Sequence, residues 1–170
     1  NEDIRKKVNN YLQLDVPYEG QTTVLHYLEV LRDRIGWDAV AAKVQNPLKG
    51  KKIGAYYGCL LLRPSREMQF DDPENPTILE DFIRAIGAEP VYYGMRNECC
   101  GGYTTIENRA YASKQAQKIA DSAKAQGAEM LITACPLCLY NLSQNTDGTL
   151  PVRYFTELLA EALGVGEDAE

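Results

Sequence analysis

The chain has 170 residues, 45% of them hydrophobic and 25% charged, which is enough for one globular domain with a substantial core. Its 24 acidic and 18 basic residues give a net charge of −6, and no block of lysine or arginine stands out, which argues against nucleic acid or an anionic membrane as a partner. No apolar run approaches the roughly 20 residues of a membrane span, so none is expected. No signal peptide is visible, and the first residue is Asn1 rather than Met, which indicates a fragment or a processed product.

The first fifty residues are predicted to be helical. A short polar helix is expected to end near residues 15–17. Apolar residues recur at helical spacing over 22–35, and a further short helix is predicted over 37–44. His26, the only histidine, lies in the second of these segments. A partly exposed structural histidine is the preferred interpretation, and a ligand or proton donor is the alternative.

From residue 51 onward the pattern alternates between strands and helices. Strands are predicted at 51–57, 89–93, 129–134 and 151–154, and helices at 77–86, 104–126, 136–145 and 156–163. Residues 164–170 are predicted to be an acidic, frayed tail. This alternation predicts an α/β, three-layer, Rossmann-like domain with a mostly parallel sheet of about four strands. We expect one globular unit, in which residues 1–50 form a helical N-terminal extension and residues 51–170 form the α/β cysteine-rich domain.

Five cysteines occur in three clusters: Cys59, the adjacent pair Cys99 and Cys100, and the pair Cys135 and Cys138. An odd number of cysteines cannot all form intramolecular disulfides. In a chain without a secretion signal, clustered cysteines more often bind metal or carry out redox chemistry. We therefore expect a reducing, cytoplasmic setting.

Each cysteine cluster follows a predicted strand or the loop after it. In a parallel sheet the carboxyl ends of all strands lie at one edge, where ligands of open α/β sheets bind, so the three clusters are expected to converge. Cys135 and Cys138 also lie at the start of a predicted helix, whose free N–H groups and dipole favour thiolates. Alone, this pair could equally be a thioredoxin-like redox motif. Two glycines after Cys100 leave the backbone free to wrap closely around a bound group.

The number of cysteines bears on the kind of metal. Structural zinc and a regular cubane cluster each take four protein ligands, whereas five thiols are present here. Five converging thiolates suit an iron–sulfur centre in which one thiolate bridges two irons. A zinc or thiol-redox module remains an alternative, as do reduced cysteines that pack as small hydrophobic side chains.

The cysteine pattern resembles the cysteine-rich CCG domain family and, within it, the second half of the B subunits of heterodisulfide reductases. The resemblance covers nearly the whole chain from about residue 22. It is carried by residues 25–31, 56–61 (Tyr56-Tyr57-Gly58-Cys59-Leu60-Leu61), 63–64, 70–76, 98–101 (Glu98-Cys99-Cys100-Gly101), 134–138 (Ala134-Cys135-Pro136-Leu137-Cys138) and 151–159.

This resemblance implies an oxidoreductase subunit that delivers electrons to a small disulfide substrate. The B subunits of the family carry two such motifs, each binding a noncubane [4Fe-4S] cluster, and work with an iron–sulfur C subunit and a flavin-bearing A subunit. By resemblance, the cluster ligands here are Cys59, Cys99, Cys100, Cys135 and Cys138. Only one motif is present, so the chain is expected to be the C-terminal half of a two-motif subunit and inactive alone. The alternative within the family is an electron-transfer subunit of lactate, glycolate or glycerol-3-phosphate oxidation.

Three arginines, Arg63, Arg66 and Arg96, flank the cysteine loops. They could face the cluster or an anionic substrate, because guanidinium groups recognise anions well. The preferred interpretation is that they are solvated loop charges.

Overall fold

Four short parallel strands form the centre of the fold in the computed structural model, which describes residues 1–165. They are β1 (Lys52–Tyr56), β2 (Glu89–Val91), β3 (Met130–Thr133) and β4 (Val152–Tyr154). The strands form one sheet in the order β2-β1-β3-β4, and all three pairings are parallel. The predicted parallel sheet of four strands is therefore confirmed.

Helices precede, connect and follow the strands. They are α1 (Glu2–Leu12), α2 (Tyr27–Glu29), α3 (Trp37–Lys43), α4 (Ser65–Met68), α5 (Ile78–Ala85), α6 (Arg109–Ala125), α7 (Pro136–Gln144) and α8 (Phe155–Leu163). Helix α2 continues as a π-helical segment over Val30–Ile35, and a single 3₁₀ turn spans Gly102–Thr104. Most of the predicted acidic tail, residues 166–170, lies outside the described residues. Among residues 1–165, every helix is too short or too polar to cross a bilayer.

The sheet separates two apolar cores, which gives the predicted three layers. Successive side chains of a strand point to opposite faces, so Ile53 and Ala55 pack on one side of the sheet while Tyr56 packs on the other. The first core contains side chains of α2, α3, α5 and α8. The second contains alanines and Ile119 of α6, Leu142 of α7, and two of the cysteines, Cys100 and Cys138.

Two predicted helices begin later in the structure because a side chain caps each of them. Helix α2 begins at Tyr27, since the His26 imidazole accepts a hydrogen bond from the Leu28 N–H (3.1 Å). Helix α6 begins at Arg109, since Asn108 Oδ1 accepts one from the Tyr111 N–H (3.0 Å). The prediction that α6 starts at residue 104 was therefore wrong, because the helix starts more than one helical turn later.

The N-terminal region contributes unequally to the core. Helix α1 ends at Leu12, before the predicted 15–17, and it buries no residue. In contrast, Leu28, Leu31 and Val40 belong to the same core as α5 and α8. The predicted boundary at residue 50 stays a prediction. The short helix α4 was not predicted from the sequence.

Candidate metal centre

All five cysteines line one small pocket at the carboxyl edge of the sheet. Cys59 follows β1, Cys99 and Cys100 follow the loop after β2, and Cys135 and Cys138 follow β3. The pocket is completed by Tyr57, Leu60, Leu61, Tyr103 and Leu137. Their convergence agrees with the argument from parallel topology. Their role as cluster ligands stays a prediction.

The adjacent cysteines Cys99 and Cys100 diverge, with Cys99 exposed and Cys100 buried. The chain then turns at Gly101, which has a positive φ of 77°. This turn directs two backbone N–H groups back at the thiols: Gly101 N lies 3.4 Å from Cys99 Sγ, and Gly102 N lies 3.4 Å from Cys100 Sγ. Such N–H···S contacts stabilise thiolates and are among the factors that set cluster potentials.

Two glycines allow the backbone to approach the sulfur atoms closely. A Cβ at Gly58 would lie 3.0 Å from Cys138 Sγ, and the φ of +66° at this position disfavours other residues. A Cβ at Gly102 would lie 3.3 Å from Cys100 Sγ and 3.0 Å from Leu137 Cγ. Bare backbone therefore lies against the sulfur atoms of Cys138 and Cys100.

The electrostatics of the pocket favour thiolates at two positions. Cys100 Sγ and Cys138 Sγ lie 3.6 Å apart. A hydrogen bond from the Cys138 thiol, opposed by burial and assisted by the Gly102 N–H, lowers the pKa of Cys100 to about 6. The Cys138 thiol has one proton, which can serve Cys100 or Cys135 at a time; its donation to Cys135, together with backbone N–H groups at the start of α7, lowers the pKa of Cys135 to about 6 against the effect of burial. Cys135 is the N-cap residue of α7, so part of this shift comes from the helix start, but Cys138, the second thiol expected to benefit from that helix start, has a raised pKa instead.

Cys138 and Cys59 hold their protons more firmly. Hydrogen bonds to Cys100 and Cys135, followed by burial, raise the pKa of Cys138. Burial, followed by a hydrogen bond with Cys99, raises the pKa of Cys59. Binding a metal at these two positions would therefore release protons, as expected for thiol ligands.

The donor set fits an iron–sulfur centre. The five thiols are soft ligands, and the other side chains that line the pocket are leucines and tyrosines. Within residues 1–165, no three cysteine, histidine, aspartate or glutamate side chains are placed to share a single metal ion. Thiolates of a polynuclear cluster bind different metal atoms, so five of them around one pocket can hold a group larger than one ion.

Arg96 does not have the environment expected of a solvated loop charge. It is 8% exposed and forms an ion pair with the fully buried carboxylate of Glu80 on α5. The same carboxylate accepts a hydrogen bond from the Tyr57 hydroxyl, and Arg96 also donates to Asn75 Oδ1 (2.6 Å). Burial, opposed by the hydrogen bond from Tyr57 and the charge of Arg96, raises the pKa of Glu80. For Arg96, the preferred interpretation was therefore wrong, since burial of the guanidinium requires a partner that the sequence does not identify.

Arg63 and Arg66 have different surroundings. Arg63 donates to the backbone carbonyls of Asn97 (3.2 Å) and Pro73 (3.1 Å), and so links the loop before the cysteine pair to the loop before α5. Arg66 is exposed on α4, in agreement with the interpretation as a solvated charge. Neither lines the cysteine pocket.

Two residues that hold the cysteine loop were not predicted from the sequence. The Tyr56 hydroxyl donates to the Glu98 carbonyl (2.7 Å), and the Asn141 side chain donates to the Cys100 carbonyl (2.7 Å). Asn141 could have been found, because it lies one helical turn after Cys138 and is a polar residue on the face of α7 that carries a cysteine.

His26 has the structural role that was preferred for it. It is half-buried, caps α2, and packs edge-to-face on Phe70 with ring centroids 5.1 Å apart. Burial lowers its pKa, although the Glu29 carboxylate and the Ala134 carbonyl oppose this shift.

Residues 53–143 match the family model described as the cysteine-rich domain, CCG, and these residues make up more than half of the chain. The chain therefore belongs to the cysteine-rich CCG domain family. The matched region begins in β1, ends in α7 and contains all five cysteines.

Curated relatives match most of the chain. The 8-methylmenaquinol:fumarate reductase membrane anchor subunit of Wolinella succinogenes is 29% identical over 95% of this chain and 60% of its own length. The B subunit of the ferredoxin:CoB-CoM heterodisulfide reductase of Methanosarcina mazei is 26% identical over 92% of this chain and 55% of its own length. A protein of Archaeoglobus profundus that is described as like the heterodisulfide reductase B subunit is 27% identical over 96% of this chain and 60% of its own length. The chain thus spans between half and two thirds of each of these relatives, which are subunits of reductases or similar to them.

Proposed function

We propose that this chain is the iron–sulfur domain of a disulfide-reducing oxidoreductase subunit similar to the B subunit of heterodisulfide reductase. In this proposal Cys59, Cys99, Cys100, Cys135 and Cys138 are the ligands of a noncubane [4Fe-4S] cluster. The observation that carries the proposal is the convergence of all five thiols on one pocket, in a chain that belongs to the CCG family. Its curated relatives include the B subunits of two heterodisulfide reductases from Methanosarcina.

In this proposal each part of the pocket has a task in the reaction. Reduction of a disulfide consumes two electrons and two protons and yields two thiols. The bound cluster would supply electrons to the substrate. Leu60, Leu61 and Leu137 would exclude water from the sulfur atoms, and the N–H groups of Gly101 and Gly102 would stabilise the thiolates of Cys99 and Cys100.

Partners and setting follow from the same proposal. We infer that the chain works with an iron–sulfur C subunit and a flavin-bearing A subunit, in a reducing cytoplasmic compartment. All five cysteines are free thiols, which suits such a compartment.

A second candidate function is electron transfer in a reductase that does not act on disulfides. The fumarate reductase membrane anchor subunit of Wolinella succinogenes matches 95% of this chain at 29% identity, and it favours this candidate. The same five thiols would then hold a cluster that relays electrons without binding a substrate.

Anaerobic reconstitution followed by iron and acid-labile sulfide analysis tests the cluster. We expect about four irons and four sulfides per chain. The variants Cys59→Ser and Cys135→Ser are expected to lose most of this iron, because each removes one soft ligand. Ala162→Ser is the matched control, since it places a hydroxyl in the first core, which contains none of the five cysteines, and should keep its iron. One zinc per chain without sulfide would overturn the proposal.

A substrate test separates the two candidate functions. The reconstituted protein is monitored by electron paramagnetic resonance while a small disulfide, its thiols or a quinol is added. A spectral change with the disulfide or its thiols supports disulfide reduction. A change with the quinol alone supports the second candidate.

A further inference from the structure

A buried hydrogen-bond network around Asn141 connects helix α7 to the loop that carries Cys99 and Cys100. The Asn141 side chain is 0% exposed on α7, one turn after Cys138. The side-chain amide donates to the Cys100 carbonyl (2.7 Å), while Oδ1 accepts from Thr105 Oγ1 (3.1 Å) and Asn145 Nδ2 (2.7 Å). The residue thus joins the helix that carries Cys138 to the loop that carries Cys100.

Chemistry at both ends of the network determines how the two amides are oriented. The Cys100 carbonyl can only accept, so the NH₂ group of Asn141 must face it. The Arg109 guanidinium can only donate, and its Nε lies 3.1 Å from Asn145 Oδ1, so the Asn145 oxygen must face the arginine. Both amides therefore have one consistent orientation, and every donor in the series from Arg109 to Cys100 points towards the cysteine loop.

The carbonyl that Asn141 contacts belongs to the peptide unit between Cys100 and Gly101. A peptide unit is planar, so fixing the direction of its C=O also fixes the direction of its N–H. That N–H is the Gly101 group, which lies 3.4 Å from Cys99 Sγ. A hydrogen bond to the carbonyl polarises the unit and strengthens the N–H as a donor. Asn141 thus acts on the sulfur of Cys99 without touching it.

We infer that Asn141 is a positioning residue that raises the reduction potential of the bound cluster by orienting the Cys100–Gly101 peptide towards Cys99 Sγ. This inference rests on the proposed function, because it requires a cluster at these thiols. The physical reason is that hydrogen bonds to ligand sulfur stabilise the more negative, reduced state of a cluster.

The test is a redox titration of the anaerobically reconstituted protein, with iron and sulfide content measured on the same samples. Asn141→Leu removes the donor and keeps a similar volume, and we expect its midpoint potential to shift to a more negative value while iron content is retained. Thr146→Val is the matched control. Its hydroxyl donates to the Leu142 carbonyl (2.7 Å) and does not touch Cys100, so its potential should equal that of the unmodified protein.

A second variant keeps the test decisive if Asn141→Leu fails to fold or to hold iron. Asn145→Leu removes one of the two donors to Asn141 Oδ1 and the acceptor of Arg109 Nε but keeps the bond from Asn141 to Cys100, so we expect a smaller shift in the same direction. Amide hydrogen exchange at Gly101 is the second measurement, and it should be faster in both variants than in the control. Unchanged potential and unchanged exchange in a variant that carries full iron would overturn the inference and leave the proposed function standing. An unmodified protein that takes up no iron would overturn the proposed function and this inference with it.

Discussion

At Gly58 the fold requires both an uncommon backbone conformation and space beside a thiol. The φ of +66° lies in the left-handed region, which costs other residues about 1 to 2 kcal/mol. In addition, the methyl group of an alanine at this position would lie 3.0 Å from Cys138 Sγ. The two effects have different consequences: the first lowers stability, and the second displaces a proposed ligand.

The variant Gly58→Ala is predicted to lose iron as well as stability. The expected loss of unfolding free energy is about 1 to 2 kcal/mol from the backbone, and iron per chain after reconstitution should fall to less than about half, because Cys138 must move. Urea unfolding and iron analysis measure the two effects separately.

Gly50→Ala is the control for Gly58→Ala. Gly50 has a φ of +76° but nothing within 4 Å of where a Cβ would lie, so alanine there carries the same backbone cost without touching the site. Equal iron content in the two variants would contradict the assigned role of Gly58.

Single residues show clearly where sequence reasoning stops. The five cysteines could be placed together from topology alone, because parallel strands put their carboxyl ends at one edge. The burial of Arg96 could not be predicted, since it depends on Glu80, whose sequence position at the polar start of an amphipathic helix indicates exposure. The network of Asn141 depends on a backbone carbonyl, and no sequence pattern shows where a carbonyl points.

At the scale of elements, periodicity predicted which segments are helices and strands. Capping side chains determined where the helices α2 and α6 start. The four strands lie where apolar, β-prone runs precede a cysteine, a loop or a helix, within a few residues of the predicted bounds. Their order, β2-β1-β3-β4, could not be predicted, because it depends on pairing between segments far apart in the chain. Helix α4 has four residues, too few for a periodic signal.

The cap of α2 gives the molecule a predicted dependence on pH. Burial favours neutral His26 in the folded state, so its folded pKa lies below the ordinary 6.5. Below pH 6.5 the unfolded chain therefore binds more protons than the folded one. The stability that comes from keeping His26 neutral is complete above pH 6.5 and is lost as the pH falls towards the lowered folded pKa.

The variant His26→Asn is predicted to remove part of this dependence. Asparagine can accept the hydrogen bond from the Leu28 N–H but cannot titrate, so the cap is retained. Urea unfolding of both proteins between pH 5 and 8 measures the effect. The free energy of unfolding should fall more steeply with acid in the unmodified protein, and parallel curves would contradict the prediction. The cysteines titrate in both proteins, so their contribution cancels in the difference.

At the scale of the whole molecule, the N-terminal fifty residues divide into a part that buries no side chain and a part that packs on the core. Helix α1 buries no side chain. Its hydrogen bonds beyond the helix go to the nearby segment around residues 18 and 19, through Arg5 and Asn9. By contrast, the core residues that pack with α5 and α8 include Leu28, Leu31, Val40 and Leu48.

Two deletions test this division. Removal of residues 1–20 is predicted to leave the melting temperature and the iron content of the protein nearly unchanged. Removal of residues 1–50 takes away four large apolar side chains and exposes the residues that pack against them. The lost burial destabilises the fold by roughly 6 to 12 kcal/mol, at 1.5 to 3 kcal/mol for each side chain. That loss is comparable to the whole stability of a domain, so the shorter chain is expected to be insoluble. A soluble, cooperatively unfolding chain from residue 51 would instead favour an independent cysteine-rich domain.

The five thiols lie in three separate connections, after β1, β2 and β3. This limits the order in which the chain can fold and bind a metal. A motif whose ligands sit in one short loop can capture metal while the chain is still unfolded. Here β1, β2 and β3 must pair before Cys59, Cys100 and Cys135 become neighbours, and closing those long loops is a cost offset by the apolar cores. The proposed cluster would therefore have to be inserted after the sheet has formed, into a folded surface rather than a nascent peptide.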